Sequence, residues 1–113
     1  MDEYISWNDF EKISIRIGTI IEVNDFPRAK KPAWQLLIDF GEELGTKRSS
    51  AQITKHYSKN DLTGRQVAAV VNFPPKQIAN FISECLVLGV YDGNNDVILL
   101  QPSKPVSNGQ RIG

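Results

Sequence analysis

The chain has one cysteine, one histidine and no net charge in 113 residues. Each scarcity narrows what it can do. A lone Cys85 rules out an internal disulfide framework and fits a reducing compartment. With His56 the only imidazole and Cys85 the only thiol, a metal site would rest on carboxylates alone, so none is expected, and no nucleophile–base pair lies close in sequence. Uninterrupted apolar runs reach only four to five residues, so membrane insertion is not expected. The opening MDEYISWNDF is acidic and lacks the apolar stretch of a secretory signal. A cytoplasmic protein is expected.

The zero net charge hides a segregation. Residues 1–27 carry a net −4, and residues 28–76 carry +5. Such a chain can present one basic face to an anionic partner. The length suits a single domain over 1–113 with a thin but real core.

Hydrophobic periodicity reads mostly as strands. Ser6 with Asp9 three residues on is a capping-box start, so residues 1–11 are read as a short helical extension. From Ile13 the pattern alternates: Ile13, Ile15, Ile17, Thr19, Ile21 and Val23 share a face. Gly18 falls within this long strand, where a bulge would let it curl and serve two sheet edges. A second strand runs from Trp34 through Leu36 and Ile38 to Phe40, and a polar third strand covers 47–53. Residues 54–62 form the one helix candidate between strands, closed by Gly64. Residues 65–73 make a fourth strand, apolar on both faces at 67–71. Residues 86–91 and 97–100 form a last hairpin around Asp92-Gly93-Asn94-Asn95. The expected fold is all-β: a small barrel of the oligonucleotide-binding (OB) type with short helices and terminal extensions. An open sandwich is the alternative, and the kinked first strand favours closure.

The last hairpin is apolar at successive positions, so both of its faces want burial. A small barrel has one interior, and a second copy of the chain is the simplest cover. A homodimer using Leu86, Leu88, Val90, Ile98 and Leu100 is expected.

Catalytic motifs are not found. The stretch 41–47, GEELGTK, misses a phosphate-binding loop because threonine separates glycine from lysine and two acids would repel phosphate. His56 reads as a surface residue and Cys85 as a small buried hydrophobe. No dinucleotide-binding glycine pattern is present, and no cofactor is expected. What remains is a binding surface. Lys30, Lys31, Lys47, Arg48 and Lys76 supply charge, Trp34 and Phe73 supply aromatic faces, and Ser49, Ser50, Gln52, Asn72, Gln77 and Asn80 supply hydroxyl and amide groups. That mixture suits a groove tracking a phosphate backbone with stacked bases. It equally suits an extended polypeptide. Trp34 and Phe73 also fit as core residues, and Asn72 as the holder of its own turn.

Four segments, FEKISIRIGTI (10–20), RSSAQIT (48–54), LTGRQVAAVVNFPPKQIANFISECLVLG (62–89) and LLQPSKPVSNGQRIG (99–113), resemble the tRNA-binding-domain family. KPAWQLLIDFG, KRSSAQIT and NFPPKQIANF point to its CsaA-type branch of export-related chaperones. The resemblance implies an OB barrel assembled as a homodimer, without catalysis. For that branch it implies capture of unfolded or precursor polypeptides and cooperation with the bacterial export motor. For the wider family it implies tRNA binding, here the alternative function, acting in trans. The chain departs from the tRNA-binding pattern at Ser50-Ala51-Gln52-Ile53, Ala79-Asn80 and Ser83-Glu84-Cys85-Leu86. There a basic residue and glycines of the wider family are replaced, removing charge and close backbone approach.

Overall fold

The structure, a computed structural model, describes residues 3–113; Met1 and Asp2 lie outside the described residues. Of the helical extension expected over 1–11, the helix proper is α1 (Trp7–Glu11), capped by Ser6 and Asp9 in a reciprocal capping box. Nine strands follow: β1 (Ile15–Asp25), β2 (Trp34–Asp39), β3 (Thr46–Ala51), β4 (Gln66–Val70), β5 (Lys76–Ile78), β6 (Phe81–Ser83), β7 (Leu86–Val87), β8 (Gly89–Tyr91) and β9 (Val97–Leu99). Between β3 and β4 stands α2 (Lys59–Leu62), shorter than the helix expected over 54–62. Ser58 stops it from starting earlier, because its hydroxyl caps the Asp61 amide while the Asp61 carboxylate takes the Ser58 amide.

Five strands form one sheet in the order β3-β2-β1-β4-β7. The long first strand serves two edges, as its length implies. Residues 15–19 pair with β4 and residues 19–25 pair with β2. The bulge, however, falls at Ile21, between the Ile20–Ile38 and Glu22–Leu37 pairs, and not at Gly18. It shifts the inward phase by one residue, so Ile20 is fully buried while Ile21 is exposed; Ile13, ahead of β1, is exposed as well. Gly18 answers a different need. A Cβ there would lie 2.6 Å from Ile38 Cγ2 and 2.7 Å from Phe40 Cδ1. The missing side chain is what lets β2 close over β1.

Closure between the sheet's two edges uses side chains as well as backbone. The Glu84 amide donates to the Arg48 carbonyl at 2.7 Å. The Glu84 carboxylate accepts the Arg48 amide at 2.9 Å, and the Ser49 hydroxyl donates to the Cys85 carbonyl at 3.0 Å. This is a nearly closed five-stranded OB-like barrel. Its core holds Ile20, Leu36, Ile38, Phe40, Leu62 and Val67, all at most 1% exposed. The C-terminal segment adds a further edge to β1: Ile17 donates to the Gln110 carbonyl, and Gly109 and Ile112 donate to Ile17 and Ile15.

Two features have no counterpart in the alternation pattern. A small hairpin, β5–β6, turns through Ala79 and Asn80, with Ala79 at φ +53°. A second apolar cluster, Phe26, Ala33 and Phe81, ties that hairpin to the loop after β1, with the two rings 5.4 Å apart. The final apolar run divides as well. Leu86 and Val87 pair with β4, while Gly89 to Tyr91 pair with β9. Leu86 is 49% exposed, so it is not part of the core of the chain.

Candidate binding face

The inward face of β3 carries Ser49 and Ala51, both buried, and its outward face carries Arg48 and Ser50, with Gln52 exposed just beyond its end. Two structures flank that outward face. On one side lies the loop 26–33 with Arg28, Lys30 and Lys31; on the other lies β5 with Lys76 and Gln77. The Phe26–Phe81 cluster holds these banks at a fixed distance. Between them is a groove of about 570 Å³, floored by Ser50 and Gln52. Four cations line it (Arg28, Lys30, Lys31 and Lys76) and no carboxylate does. Among the described residues none of the four is in a salt bridge.

A second groove of about 560 Å³ adjoins the first and shares Ser50, Lys76 and Ile78 with it. Its character differs. Phe73, Pro74, Pro75 and Leu86 supply exposed apolar surface, and the lining holds one carboxylate, Glu84, as well as Lys76. Pro74 and Pro75 cannot donate backbone hydrogen bonds, which keeps this rim open instead of extending β4. Cys85 lies at the base of this groove, 6% exposed. Burial pushes its thiol up to about 11, against a partial lowering by the Ser49 hydroxyl. It is an apolar floor residue and a poor nucleophile.

The residues singled out from sequence thus separate. Lys30, Lys31, Ser50, Gln52, Lys76 and Gln77 meet in the cationic groove, with Arg28, which the sequence reading passed over. Phe73 lies in the apolar groove with Ser50 and Lys76. Trp34 is elsewhere. It projects to the interior side of β2, packs on the main core, and donates its indole N–H to the Tyr57 carbonyl at 2.9 Å. A residue on the inner face cannot floor a groove built on the outer one. Ser49 is 1% exposed and committed to Cys85. The Asn72 amide group clamps the chain after α1, accepting from the Ser14 amide at 2.9 Å and donating to the Lys12 carbonyl at 2.7 Å. Arg48 lies over the Phe81 ring at 5.2 Å, bracing the hairpin from the side. Asn80 sits exposed at the hairpin turn, outside both grooves.

The family pattern described as a putative tRNA binding domain matches residues 15–111. The chain belongs to the tRNA-binding-domain family. Within that family its likeness to CsaA is strong. The CsaA chaperone protein of Picrophilus torridus shares 55% identity at a TM-score of 0.91, covering 97% of this chain and all of that one. The CsaA chaperone of Bacillus anthracis shares 50% identity at a TM-score of 0.91, over 98% of this chain and all of that one. These likenesses make it a tRNA-binding-domain protein of the CsaA type. Methionine–tRNA ligase of Thermococcus onnurineus is 38% identical over 110 residues, which is 97% of this chain and 14% of that protein. The chain therefore spans about one seventh of the ligases it matches, as a domain fused to an enzyme does. Among the described residues no helix is long and apolar enough to cross a membrane.

Proposed function

We propose that this protein is a non-catalytic, homodimeric chaperone of the cytoplasm that holds unfolded or precursor polypeptides for export. One observation carries the reading. A cationic groove and an apolar groove run together at Ser50, Lys76 and Ile78, giving one surface with both chemistries. An extended polypeptide is the ligand that uses both. Its apolar side chains gain roughly 25 cal/mol for each Å² removed from water against Phe73, Pro74 and Pro75. Its carbonyls and acidic groups face Ser50, Gln52 and the lysines. The two CsaA chaperones that this chain resembles over their full lengths support the same reading. Cooperation with an export motor follows from that branch and is part of the proposal.

Dimerisation is supported by the exposed apolar side chains of β7, of the β8–β9 hairpin and of the residue after it. Leu86, Val90, Tyr91, Ile98 and Leu100 are each between 37% and 75% exposed, an area a second copy would cover. Leu88, the fifth position expected from the sequence besides Leu86, Val90, Ile98 and Leu100, is half-buried.

A second reading, tRNA binding in trans, is favoured by the four cations of the first groove, which among the described residues lack acidic partners. It uses the phosphate backbone and calls for steep salt dependence. The deciding experiment for the first reading is suppression of aggregation of a chemically denatured client. Protection near one dimer per client supports it, and no protection at tenfold excess rejects it.

A further inference from the structure

Away from the grooves, His56, Asp92 and Asp96 converge from two separate segments. His56 lies in the turn before α2, and the two aspartates close the turn between β8 and β9. One imidazole nitrogen and one oxygen from each carboxylate all lie within 4.8 Å of one another. His56 Nε2 stands 2.7 Å from Asp92 Oδ2. The other Asp92 oxygen, Oδ1, accepts the amides of Asn94 and Asp96 at 2.8 and 3.0 Å. That arrangement fixes the carboxylate and aims Oδ2 at the imidazole.

Both segments are held independently of this contact. The Tyr57 hydroxyl accepts the Leu99 amide at 3.0 Å, and the Tyr57 carbonyl accepts the Trp34 indole N–H at 2.9 Å. Neighbours of His56 and Asp92 are therefore tied together whatever the state of the cluster. Asp96 remains unexplained by the fold. Among the described residues its carboxylate has no ion-pair or hydrogen-bond partner, although it lies against a second carboxylate. Two carboxylates beside one imidazole leave net negative charge even when the imidazole is protonated.

We propose that His56, Asp92 and Asp96 form a binding site for a borderline divalent cation of the zinc class, which fastens the β8–β9 turn to the turn before α2. One imidazole nitrogen and two carboxylate oxygens are a donor set for zinc, cobalt or nickel; calcium and magnesium take oxygen ligands alone. The geometry needs an opening at one contact and a closing of the third ligand, whose oxygen starts within 4.8 Å of the other two atoms. Two ligand atoms each about 2.0 Å from a tetrahedral zinc are about 3.3 Å apart. His56 and Asp92 must therefore separate by only about 0.6 Å from their 2.7 Å contact. The Asp92 amide bonds act as the outer support that keeps a ligating carboxylate oriented. Water fills the remaining coordination, and the bound ion sets the pose of the exposed Val90 and Ile98 on the adjoining strands.

The test uses the full chain without a histidine tag, stripped by a chelator and titrated with zinc chloride by calorimetry. Visible absorption of the cobalt form and the thermal midpoint are read alongside. One zinc per chain is expected, with a zinc-dependent rise in midpoint and a cobalt band. His56→Gln and Asp96→Asn should each weaken binding by about tenfold or more and abolish the rise. Asp96→Asn removes no side-chain bond of the metal-free fold, so a folded variant is expected and circular dichroism verifies it. No zinc uptake, or equal uptake by both folded variants, would overturn the proposal and leave a simple His56–Asp92 ion pair.

Discussion

The Ser50 amide donates to the Ser83 hydroxyl at 3.2 Å, joining the outer face of β3 to the end of β6. Through this contact a barrel strand and a short hairpin become one wall, shared by the cationic and the apolar grooves. Lys76 sits on that shared wall, while Lys31 and Phe73 belong to one groove each.

The shared wall makes the three side chains separable. Lys76→Ala should weaken both peptide and tRNA binding, because it lines both grooves. Lys31→Ala should lower the salt slope of tRNA binding by about one unit and leave an apolar peptide unaffected. Phe73→Ala should cost about tenfold in peptide affinity and change tRNA binding by less than about twofold. Fluorescence anisotropy with a labelled peptide and a labelled tRNA, across a salt series, reads all three.

Asn72 and Ser49 carry polar groups of the right type for a ligand, yet both serve the fold. Asn72→Ala and Ser49→Ala should each lower unfolding stability by about 1–2 kcal/mol. Urea denaturation measures this, and the affinity of the remaining folded protein should equal that of the wild type.

These two residues show where the sequence was readable and where it was not. Alternation identifies β1 and β2, because apolar side chains there take a period of two against a single interior, whereas β3 reads from its polar run and β4 from continuous apolarity. It also says which face Trp34 occupies, and that face turns out to be the interior one. Gly18 drew attention for the right reason and the wrong structure: glycine marks a close approach by Ile38 and Phe40, while the bulge sits at Ile21. The β5–β6 hairpin was illegible, because three-residue strands have no measurable period and its positive φ falls on alanine. Phe26 and Phe81, which hold the groove banks, are separated by more than fifty residues and share no local signal. Arg28 was passed over for want of any pattern around it, and only the folded loop brings it beside Lys76.

Cys85 links burial to pH. An unfolded chain begins to ionise this thiol near its ordinary value of 9.0, whereas the folded chain keeps the proton to about 11. The stabilisation is therefore complete below pH 9 and is lost as the pH rises through 11. Two units correspond to about 2–3 kcal/mol. Wild type should lose more stability than Cys85→Ala between pH 9 and 11 in matched denaturation curves. At pH 8 the folded thiol should react with an aromatic disulfide far more slowly than the unfolded one.

Val90 and Ile98 face each other across the β8–β9 hairpin, 52% and 37% exposed. Val90→Lys should convert a dimer to a monomer at micromolar concentration by sedimentation equilibrium, with an unchanged far-ultraviolet spectrum. A wild-type chain that sediments as a monomer would remove the dimer from the account.

The central claim is that one continuous surface, apolar at Phe73 and cationic at Lys31, receives an extended polypeptide. A salt-titrated competition between an unfolded peptide and tRNA tests it most directly, with wild type beside Lys76→Ala and Phe73→Ala. The account predicts mutual displacement at low salt, retention of the peptide and loss of tRNA as salt rises, and weakened peptide binding in both variants. Peptide binding that is absent, or that is untouched by either substitution, would contradict it.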